Sequence, residues 1–294
     1  MRSWLFSLIP AWPALLAADQ ALAQEEAGAP GVIAAPQPWQ LGFQPALSPI
    51  MEQVVQLHDL LLWVSAAILA LVLALIGYAG WRFRASRSPT PSRRTHHTAL
   101  EITWTAVPVL ILVVIAIPSF KLLFFQAIMP EVEMTIKAVG RQWYWSYEYP
   151  DHGNFTFDAY MVAEGEERPG EPRLLAAEPR VVLPSATNIR LLVTGADVVH
   201  SWAVPALGIK QDAVPGRVAE IWLRLDAPGV YYGQCYELCG VYHPYMPIAI
   251  EAVTREQFRV WVEQARQEYA TVGGDRLAVA SRPGQQPSRR DGGR

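Results

Sequence analysis

The sequence predicts an all-β sandwich or barrel domain that an N-terminal hairpin of two transmembrane helices anchors in a membrane. The chain has 294 residues, of which 51% are hydrophobic and only 17% charged. Two long segments, residues 60–81 and 102–120, contain no charged residue. After Pro130 the pattern changes to short strand-like runs separated by Gly, Pro and Asp, which is typical of a sandwich or barrel.

Residues 1–23 have the features of a secretory signal peptide. Arg2 precedes a short apolar stretch, and Ala21 and Ala23 form a small-residue cleavage site. Cleavage there leaves Gln24 as the first residue of the mature chain. We expect residues 24–58 to form an extracytoplasmic N-terminal segment.

The two uncharged segments predict transmembrane helices at residues 59–82 and 101–128, because each is about long enough to cross the core of a bilayer. Pro108 and Pro118 in the second helix are tolerated in a membrane. The connecting loop, residues 83–100, contains four arginines and no acidic residue. This charge places the loop on the cytoplasmic side and the rest of the mature chain outside the cytoplasm. We do not expect a basic loop between two membrane spans to bind nucleic acid.

Residues 129–269 are predicted to form the extracytoplasmic domain. Its strand-like runs suggest an antiparallel sandwich or barrel and occupy residues 134–139, 143–149, 190–193, 198–203, 219–225, 230–233 and 248–253. The stretch 165–184 is rich in Glu and Pro and predicts a long surface connection.

The end of the domain predicts a helix followed by a disordered tail. Thr254 and Gln257 resemble a capping box. The helix that follows would place four apolar residues on or near one face, namely Phe258, Trp261, Val262 and Ala265. The tail, residues 270–294, is rich in Gly, Pro, Ser and Arg, a composition typical of disorder.

A short loop near the end of the domain contains a concentration of metal-binding side chains. Cys235, Cys239, His243 and Met246 lie within twelve residues and include both cysteines of the chain. Thiolate and thioether ligands favour copper, whereas imidazole suits copper, zinc and iron alike. Two cysteines four residues apart suggest a pair of metal ions bridged by two thiolates. A second imidazole would come from His200, at the end of a strand on the same side of the sandwich.

The residue types alone leave three other interpretations of this loop open. The two cysteines could form a disulfide, which an extracytoplasmic location permits. Two Cys and two His also match a closed zinc site. The same side chains could simply pack in the core. Met246 favours copper over zinc, because zinc sites rarely use a thioether.

The charge of the soluble domain is negative. Between Glu131 and Glu268 there are 19 acidic and 12 basic residues. A negative surface can steer a cationic partner towards the protein, although the same charge is also common in proteins that merely need solubility.

Five further sequence blocks, together with the metal loop, carry a resemblance to a known family. The chain resembles subunit II of haem-copper cytochrome c oxidases from about Trp39 to the final helix. The blocks are Gln40-Leu-Gly-Phe-Gln44, Ser48-Pro-Ile-Met51, Gln142-Trp-Tyr-Trp-Ser-Tyr-Glu-Tyr149, His200-Ser-Trp-Ala-Val-Pro205 and Asp212-Ala-Val-Pro-Gly-Arg217. The pattern Cys-x-Glu-x-Cys-x3-His-x2-Met is specific for the copper A centre of that family. The resemblance implies a cupredoxin-like fold.

The resemblance also implies a complete set of metal ligands. Cys235 and Cys239 would bridge two copper ions. One ion would also bind His200 and Met246, and the other His243 and the backbone carbonyl of Glu237. The side chain of Glu237 would face a magnesium or manganese ion at the boundary with subunit I.

Further residues match positions with roles in electron and proton transfer. Trp143 matches the residue that receives electrons from cytochrome c, and Glu101 matches a carboxylate near a proton pathway into subunit I. Three acids match the docking site of cytochrome c, namely Glu148, Asp158 and Asp197. Arg141, Tyr242 and Pro244 depart from residues common in the family.

The resemblance predicts an electron-transfer subunit of a respiratory terminal oxidase in a bacterial inner membrane, with its copper domain facing the periplasm. Oxygen reduction and proton pumping would occur in subunit I, and subunit III is a further expected partner. No Ser/His/Asp triad or phosphate-binding loop is apparent, so we expect no catalytic residue in this chain. The alternatives are a structural subunit II of a quinol oxidase and a copper-delivery protein.

Overall fold

The computed structural model describes residues 32–88, 90 and 92–269. The predicted signal peptide, the start of the N-terminal segment and the predicted disordered tail lie outside these described residues. Two long helices and a β domain account for most of the described chain.

Two helices form the predicted hairpin, α1 (Pro49–Arg82) and α2 (Thr98–Ala127). Both are long and apolar enough to cross a membrane, and neither apolar segment is buried within the protein. Helix α1 begins ten residues before the predicted span, because the hydroxyl of Ser48 caps it and Pro49 suits its first turn. Its 34 residues extend about 51 Å, whereas a bilayer core is about 30 Å thick. The first turns therefore stand above the apolar layer.

The β domain packs against the N-terminal end of α1 and the C-terminal end of α2. Ile50 and Met51 at the start of α1 are buried. The hydroxyl of Ser48 also donates a hydrogen bond to the carbonyl of Leu207, at 2.8 Å. The indole N–H of Trp222 donates to the carbonyl of Phe125 in α2, at 3.3 Å. These contacts tie the domain to the hairpin directly.

Twelve strands build the domain as two six-stranded sheets. They are β1 (Val32–Ala34), β2 (Met134–Arg141), β3 (Tyr144–Tyr149), β4 (Phe155–Met161), β5 (Ala177–Glu178), β6 (Val181–Pro184), β7 (Ile189–Gly195), β8 (His200–Val204), β9 (Ile209–Ala213), β10 (Ala219–Leu223), β11 (Gly229–Cys235) and β12 (Pro247–Val253). The first sheet has the order β6-β12-β11-β8-β9 with β1 also beside β11, and the second has the order β10-β7-β2-β3-β4-β5. The predicted sandwich is confirmed.

The expected antiparallel pairing holds for most neighbours but not for all. Three pairs are parallel, β1 with β11, β6 with β12 and β2 with β7. The members of each pair lie far apart in sequence, and parallel neighbours require such long connections rather than tight hairpins. These pairings cannot be predicted from the sequence pattern, since alternation along a strand does not identify its neighbour.

Aromatic side chains from both sheets fill the core. Trp145 and Tyr147 of β3 are buried together with Trp202 of β8 and Tyr231 of β11. The indole N–H of Trp202 donates to the hydroxyl of Tyr147, at 3.3 Å. This pairing satisfies polar atoms that would otherwise be costly to bury.

The stretch 165–184 is only partly the surface connection that its composition predicts. Strand β6 lies inside it, and all four residues from Val181 to Pro184 are buried. Arg180 forms an ion pair with Glu171, and both side chains are largely buried. The prediction was wrong for residues 177–184, because frequent Pro and Glu obscured two short strands, β5 and β6.

The predicted final helix is confirmed as α3 (Arg255–Glu268), with the capping box of Thr254 and Gln257. Phe258, Val262 and Ala265 are buried. Trp261 packs against Tyr149, and the centroids of their rings are 5.2 Å apart. The helix therefore covers aromatic residues of the second sheet.

Candidate metal centre

The predicted ligands lie together at one end of the sandwich. Cys235 is the last residue of β11, Met246 directly precedes β12, and His200 is the first residue of β8. Strands β8 and β11 pair side by side, which brings His200 to the loop. The backbone N–H of Cys235 donates to the carbonyl of Met246, at 3.0 Å, and closes the loop at its base.

The donor atoms of His200, Cys235 and Cys239 all lie within 4.8 Å of one another, and a ring nitrogen of His243 lies beside Cys239. The two sulfurs of Cys235 and Cys239 are 3.9 Å apart, so both are free thiols. Nδ1 of His200 lies 4.0 Å from the sulfur of Cys235, and Nδ1 of His243 lies 3.5 Å from the sulfur of Cys239. A metal–thiolate bond is about 2.3 Å long in zinc sites, so two thiolates on one ion can be up to about 4.6 Å apart. The sulfur separation fits a shared metal ion.

The loop also brings a backbone oxygen and a buried methionine to this end of the domain. The carbonyl oxygen of Glu237 lies 3.3 Å from the sulfur of Cys235. Met246 is completely buried, as is His200, whereas His243 is half-buried. The candidate ligands are therefore two thiols, two imidazoles, a carbonyl and a thioether, and thiolate and thioether ligands favour copper.

The position of His200 is fixed from two sides. Its Nε2 lies 2.8 Å from a carboxylate oxygen of Asp197, which leaves Nδ1 facing the thiols. On the other side, a Cβ atom at Gly140 would lie only 2.7 Å from the His200 ring. Only glycine at position 140 leaves room for the imidazole as it stands.

The two thiols differ in acidity without a metal. Burial raises the pKa of Cys239 to about 12, and the charge of Cys235 adds to this rise. Burial also raises the pKa of Cys235, but hydrogen bonds involving His200 and the backbone outweigh it and leave the pKa below its usual value. For His200, burial lowers the pKa, and the contacts with Cys235 and Asp197 reverse this effect. The contact between Cys235 and His200 thus shifts the pKa of each group towards its charged form, and a bound metal would displace the protons of the thiols.

Trp143 contacts the metal loop directly. Its indole N–H donates to the carbonyl of Cys239, at 3.2 Å, and the side-chain amide of Gln142 donates to the same oxygen, at 2.9 Å. Tyr242, one of the departures from the family pattern, packs edge-to-face with Trp143, and the centroids of the two rings are 5.0 Å apart. Trp143 is half-buried, so it joins the loop to the protein surface.

The three predicted docking acids all have partners within the domain. Glu148 forms a 2.9 Å ion pair with Lys137, and Asp158 accepts a 2.5 Å hydrogen bond from the hydroxyl of Ser146. Asp197 accepts from the backbone N–H of Gln142 as well as contacting His200.

Arg141, another departure from the family pattern, lies next to this group. Its guanidinium donates to the hydroxyl of Ser146, at 3.2 Å. A cation is therefore close to Asp158, and the surface is less negative there than the acids alone suggest.

Glu101 lies apart from all of these residues, in the first turn of α2. One of its carboxylate oxygens accepts from the backbone N–H of His97, at 2.9 Å, and so helps to cap the helix. The structure gives this residue a structural contact that the sequence analysis did not foresee.

Sequence analysis also missed the contribution of several residues to the site. Gly140 and Gln142 were not singled out, and Asp197 was assigned only to docking. The spacing Asp197-x-x-His200 is the one signal that could have indicated a carboxylate beside the imidazole.

Fold and site together define a class of protein, a β sandwich joined to two helices that are long and apolar enough to cross a membrane, with a candidate soft-ligand metal site at one end. Residues 134–253 match the family model of the cytochrome c oxidase subunit II periplasmic domain, and residues 36–122 match that of the transmembrane domain. The chain belongs to the cytochrome c oxidase subunit II family. The resemblance seen in the sequence is thereby confirmed.

Individual relatives agree with this assignment. The probable cytochrome c oxidase subunit 2 of Rickettsia bellii is 48% identical over 244 residues, covering 83% of this chain and 91% of the relative. Cytochrome c oxidase subunit 2 of Cereibacter sphaeroides is 44% identical over 270 residues, covering 86% and 88%. Proteins of this family are subunits of haem-copper oxidases, so other oxidase subunits are expected to surround the chain in a membrane.

Two solved structures are also similar in sequence. One is the periplasmic domain of subunit II of cytochrome oxidase from Bradyrhizobium japonicum, which is 48% identical, covers 48% of this chain and 99% of that one, and has a TM-score of 0.46. The other is a mixed disulfide intermediate between a thioredoxin-like protein and subunit II of cytochrome c oxidase, with 48% identity, coverage of 48% and 95%, and a TM-score of 0.42.

Proposed function

We propose that this chain accepts electrons from cytochrome c and passes them to a haem in subunit I of the oxidase. The observation that carries the proposal is the contact between Trp143 and the metal loop. The indole donates a hydrogen bond to the carbonyl of Cys239, which is itself a candidate ligand. An electron that reaches Trp143 at the surface would be one hydrogen bond away from the ligand shell.

The metal would be a binuclear copper A centre. Cys235 and Cys239 would bridge the two ions, His200 and Met246 would bind one of them, and His243 with the carbonyl of Glu237 would bind the other. When bound, the copper pair supplies a one-electron acceptor and donor.

The protein would hold the ligands of that centre rigidly and shield them from solvent. Both thiols, His200 and Met246 are buried in the core of the sandwich. Ligands held on strand ends change position little, and buried surroundings tune the potential of a metal site. This arrangement suits electron transfer better than substrate chemistry, for which an open coordination position is needed.

The alternatives to copper are less well supported by the surroundings. Cys235, Cys239, His200 and His243 would also suit a structural zinc ion, but such a site has no use for a buried thioether beside it. A Cys235–Cys239 disulfide would need the sulfurs to approach from 3.9 Å to about 2.05 Å. One relative forms a mixed disulfide with a thioredoxin-like protein. We propose that a partner of this kind keeps the two thiols reduced before the metal is inserted.

The surface around Trp143 would receive cytochrome c. Asp197 lies beside Gln142 at this surface, and Glu148 and Asp158 lie on the adjacent strands β3 and β4. Their negative charge would steer a cationic donor and mainly affect its rate of association. Their internal partners make each single contribution modest.

Two further roles concern the boundary with partner subunits. The carboxylate of Glu237 would bind a magnesium or manganese ion shared with subunit I, and Glu101 would lie at the start of a proton pathway. The domain would face the periplasm from a bacterial inner membrane, with subunit III as a further neighbour. Oxygen would be reduced to water in subunit I, with proton pumping.

Oxidase assays on the purified complex test the proposed function. We expect oxygen uptake with reduced cytochrome c as the only donor, and loss of this activity in a Cys239→Ser variant. A complex that oxidises quinol but not cytochrome c would instead support the quinol oxidase alternative. A chain that purifies without any haem-containing subunit would support copper delivery.

A further inference from the structure

A small loop before α1 exposes large apolar side chains in a continuous stretch. All residues from 36 to 43, which we call the apolar loop, are exposed. Trp39 is 97% exposed, Leu41 is fully exposed and Phe43 is 48% exposed. Such a cluster is unusual on a water-facing surface and marks a place where something apolar binds.

The apolar loop extends from the β domain towards the membrane. The strand that precedes the apolar loop, β1, pairs with β11 of the sandwich. Ser48, which follows the loop, donates a hydrogen bond to the carbonyl of Leu207 in the domain. Within the loop, the ring of Phe43 packs against the ring of His58, with the two ring centroids 4.8 Å apart. His58 lies nine residues after the start of α1, which corresponds to about 14 Å along the helix axis.

His58 marks the depth at which the membrane begins. The uncharged part of α1 starts at Leu60, directly after Asp59. At the opposite end of this part stands the exposed Trp81. The 23 helical steps from His58 to Trp81 rise about 35 Å, slightly more than the core of a bilayer, which is about 30 Å thick. Phe43, which packs against His58, and Trp81 thus lie near opposite ends of the uncharged part of α1.

Three hydrogen bonds connect polar groups within the apolar loop. The side-chain oxygen of Gln40 accepts from the backbone N–H of Gln37, at 3.1 Å, and its amide donates to the carbonyl of Phe43, at 2.6 Å. The backbone N–H of Gln40 donates to the carbonyl of Gln37. These three bonds reduce the number of polar groups that lose their water when the turn enters the headgroup boundary.

The backbone is strained where Trp39 leaves it. Trp39 has a φ of 60°, a left-handed conformation that bulky residues rarely adopt. Strain of this kind persists where a position serves a function. The side chain of Trp39 is also 97% exposed.

We propose that the apolar loop is a second membrane anchor, which inserts Trp39, Leu41 and Phe43 between the headgroups and acyl chains of the extracytoplasmic leaflet. The loop is continuous with the lipid-facing surface of α1, because Leu61, Leu62 and Trp63 just below it are also exposed. Tryptophan favours this boundary of a bilayer. The anchor would hold the β domain at a fixed height above the membrane, whatever metal the domain binds.

Photocrosslinking in native membranes tests the anchor in the assembled complex. A p-benzoylphenylalanine residue replaces Leu41, Leu71 or Val260 in three separate variants. Leu71 lies in the membrane span of α1 and Val260 on the outer side of α3, and all three side chains are exposed. After irradiation, mass spectrometry of the chain measures the fraction that carries a phospholipid.

The anchor predicts a lipid-linked fraction at position 41 within about twofold of that at position 71, and about tenfold above that at position 260. A crosslink from position 41 to another polypeptide would overturn the proposal and assign the loop to a subunit contact. A lipid yield as low as that at position 260 would overturn it as well. Unchanged haem content in the variants confirms that the complexes have assembled.

Discussion

A carboxylate oxygen of Asp197 and Nε2 of His200 are 2.8 Å apart. This contact orients the imidazole so that Nδ1 faces Cys235. Asp197 is held in turn by the backbone N–H groups of Gln142 and Val198, both at 2.7 Å. A carboxylate beside a metal-binding histidine sets its tautomer and strengthens it as a ligand.

Removing this carboxylate should weaken copper binding. We expect Asp197→Ala to lower copper affinity about 10–100-fold, the usual cost of losing such a partner. Asp197→Asn should cost less, because the amide oxygen can still accept the hydrogen bond. Retention of copper by the purified complex against a graded chelator measures the effect. Asp158→Ala is the matched control, and equal retention in Asp197→Ala and this control would show that the contact does not matter.

Space beside His200 should matter as much as its hydrogen bond. A methyl group at position 140 would lie 2.7–2.9 Å from three atoms of His200, so Gly140→Ala should displace the imidazole. We expect this variant to assemble with a reduced copper content and an altered copper spectrum. Gly80→Ala is the control, since a methyl group there meets nothing within 4 Å. If both alanine variants keep a wild-type spectrum, the close contact at Gly140 is not a constraint on the site.

The hydrogen bond from Trp143 should carry a measurable part of the electron transfer. Trp143→Phe keeps an aromatic ring but removes the N–H that reaches the Cys239 carbonyl. We expect the first-order rate of electron transfer from bound cytochrome c to fall about tenfold or more, which corresponds to about 1.4 kcal/mol in activation free energy. Stopped-flow or flash-induced reduction measures this rate separately from donor affinity.

Tyr242→Phe provides the control for that experiment. It keeps the ring that packs on Trp143 and removes only a hydroxyl, so the transfer rate should stay near that of the wild type. If electron transfer is slow in Tyr242→Phe and normal in Trp143→Phe, the entry role belongs to Tyr242 and the proposal for Trp143 is wrong.

The ion pair between Glu171 and Arg180 should stabilise the domain. Burial raises the pKa of Glu171, but hydrogen bonds from the Arg168 backbone and from Arg180 outweigh it, so the pKa lies below its ordinary value of 4.5. Glu171→Gln should lower the free energy of unfolding by about 1–3 kcal/mol at neutral pH. Glu164→Gln, which breaks an exposed pair with Arg173, should cause no measurable change.

The pH dependence of this effect has a definite sign. A carboxyl group with a lowered pKa in the folded state stabilises the fold above its unfolded pKa and loses that contribution as the pH falls through the folded pKa. The difference in free energy of unfolding between wild type and Glu171→Gln should therefore have its largest value above about pH 5 and decrease below pH 4.5. Thermal unfolding across this range measures it, and a difference that grows on acidification would refute the ion-pair explanation.

Much of the fold could be predicted because its signals are local. Uncharged runs of membrane length, alternation in strands such as β2 and the capping box at Thr254 each depend on neighbouring residues only. Strand partners are not local, so the parallel pairing of β2 with β7 had no signal in the sequence. Strand β6 was hidden because four apolar residues are too few to show a period.

The ligand set was also predictable, but its surroundings were not. Cys235, Cys239, His243 and Met246 share one short loop, and the family resemblance added His200. The neighbours that hold them come from distant parts of the chain, as with Gly140 and Gln142. A glycine that makes room for a side chain sixty residues away cannot be recognised without the structure.

The electron paramagnetic resonance spectrum of the oxidised, purified complex distinguishes a binuclear copper centre from other metal sites. We expect a copper signal whose hyperfine pattern arises from one unpaired electron shared equally by two copper nuclei, and its loss in Cys239→Ser. A pattern from a single copper nucleus, or zinc in place of copper in the domain, would show that the proposed copper A centre is wrong.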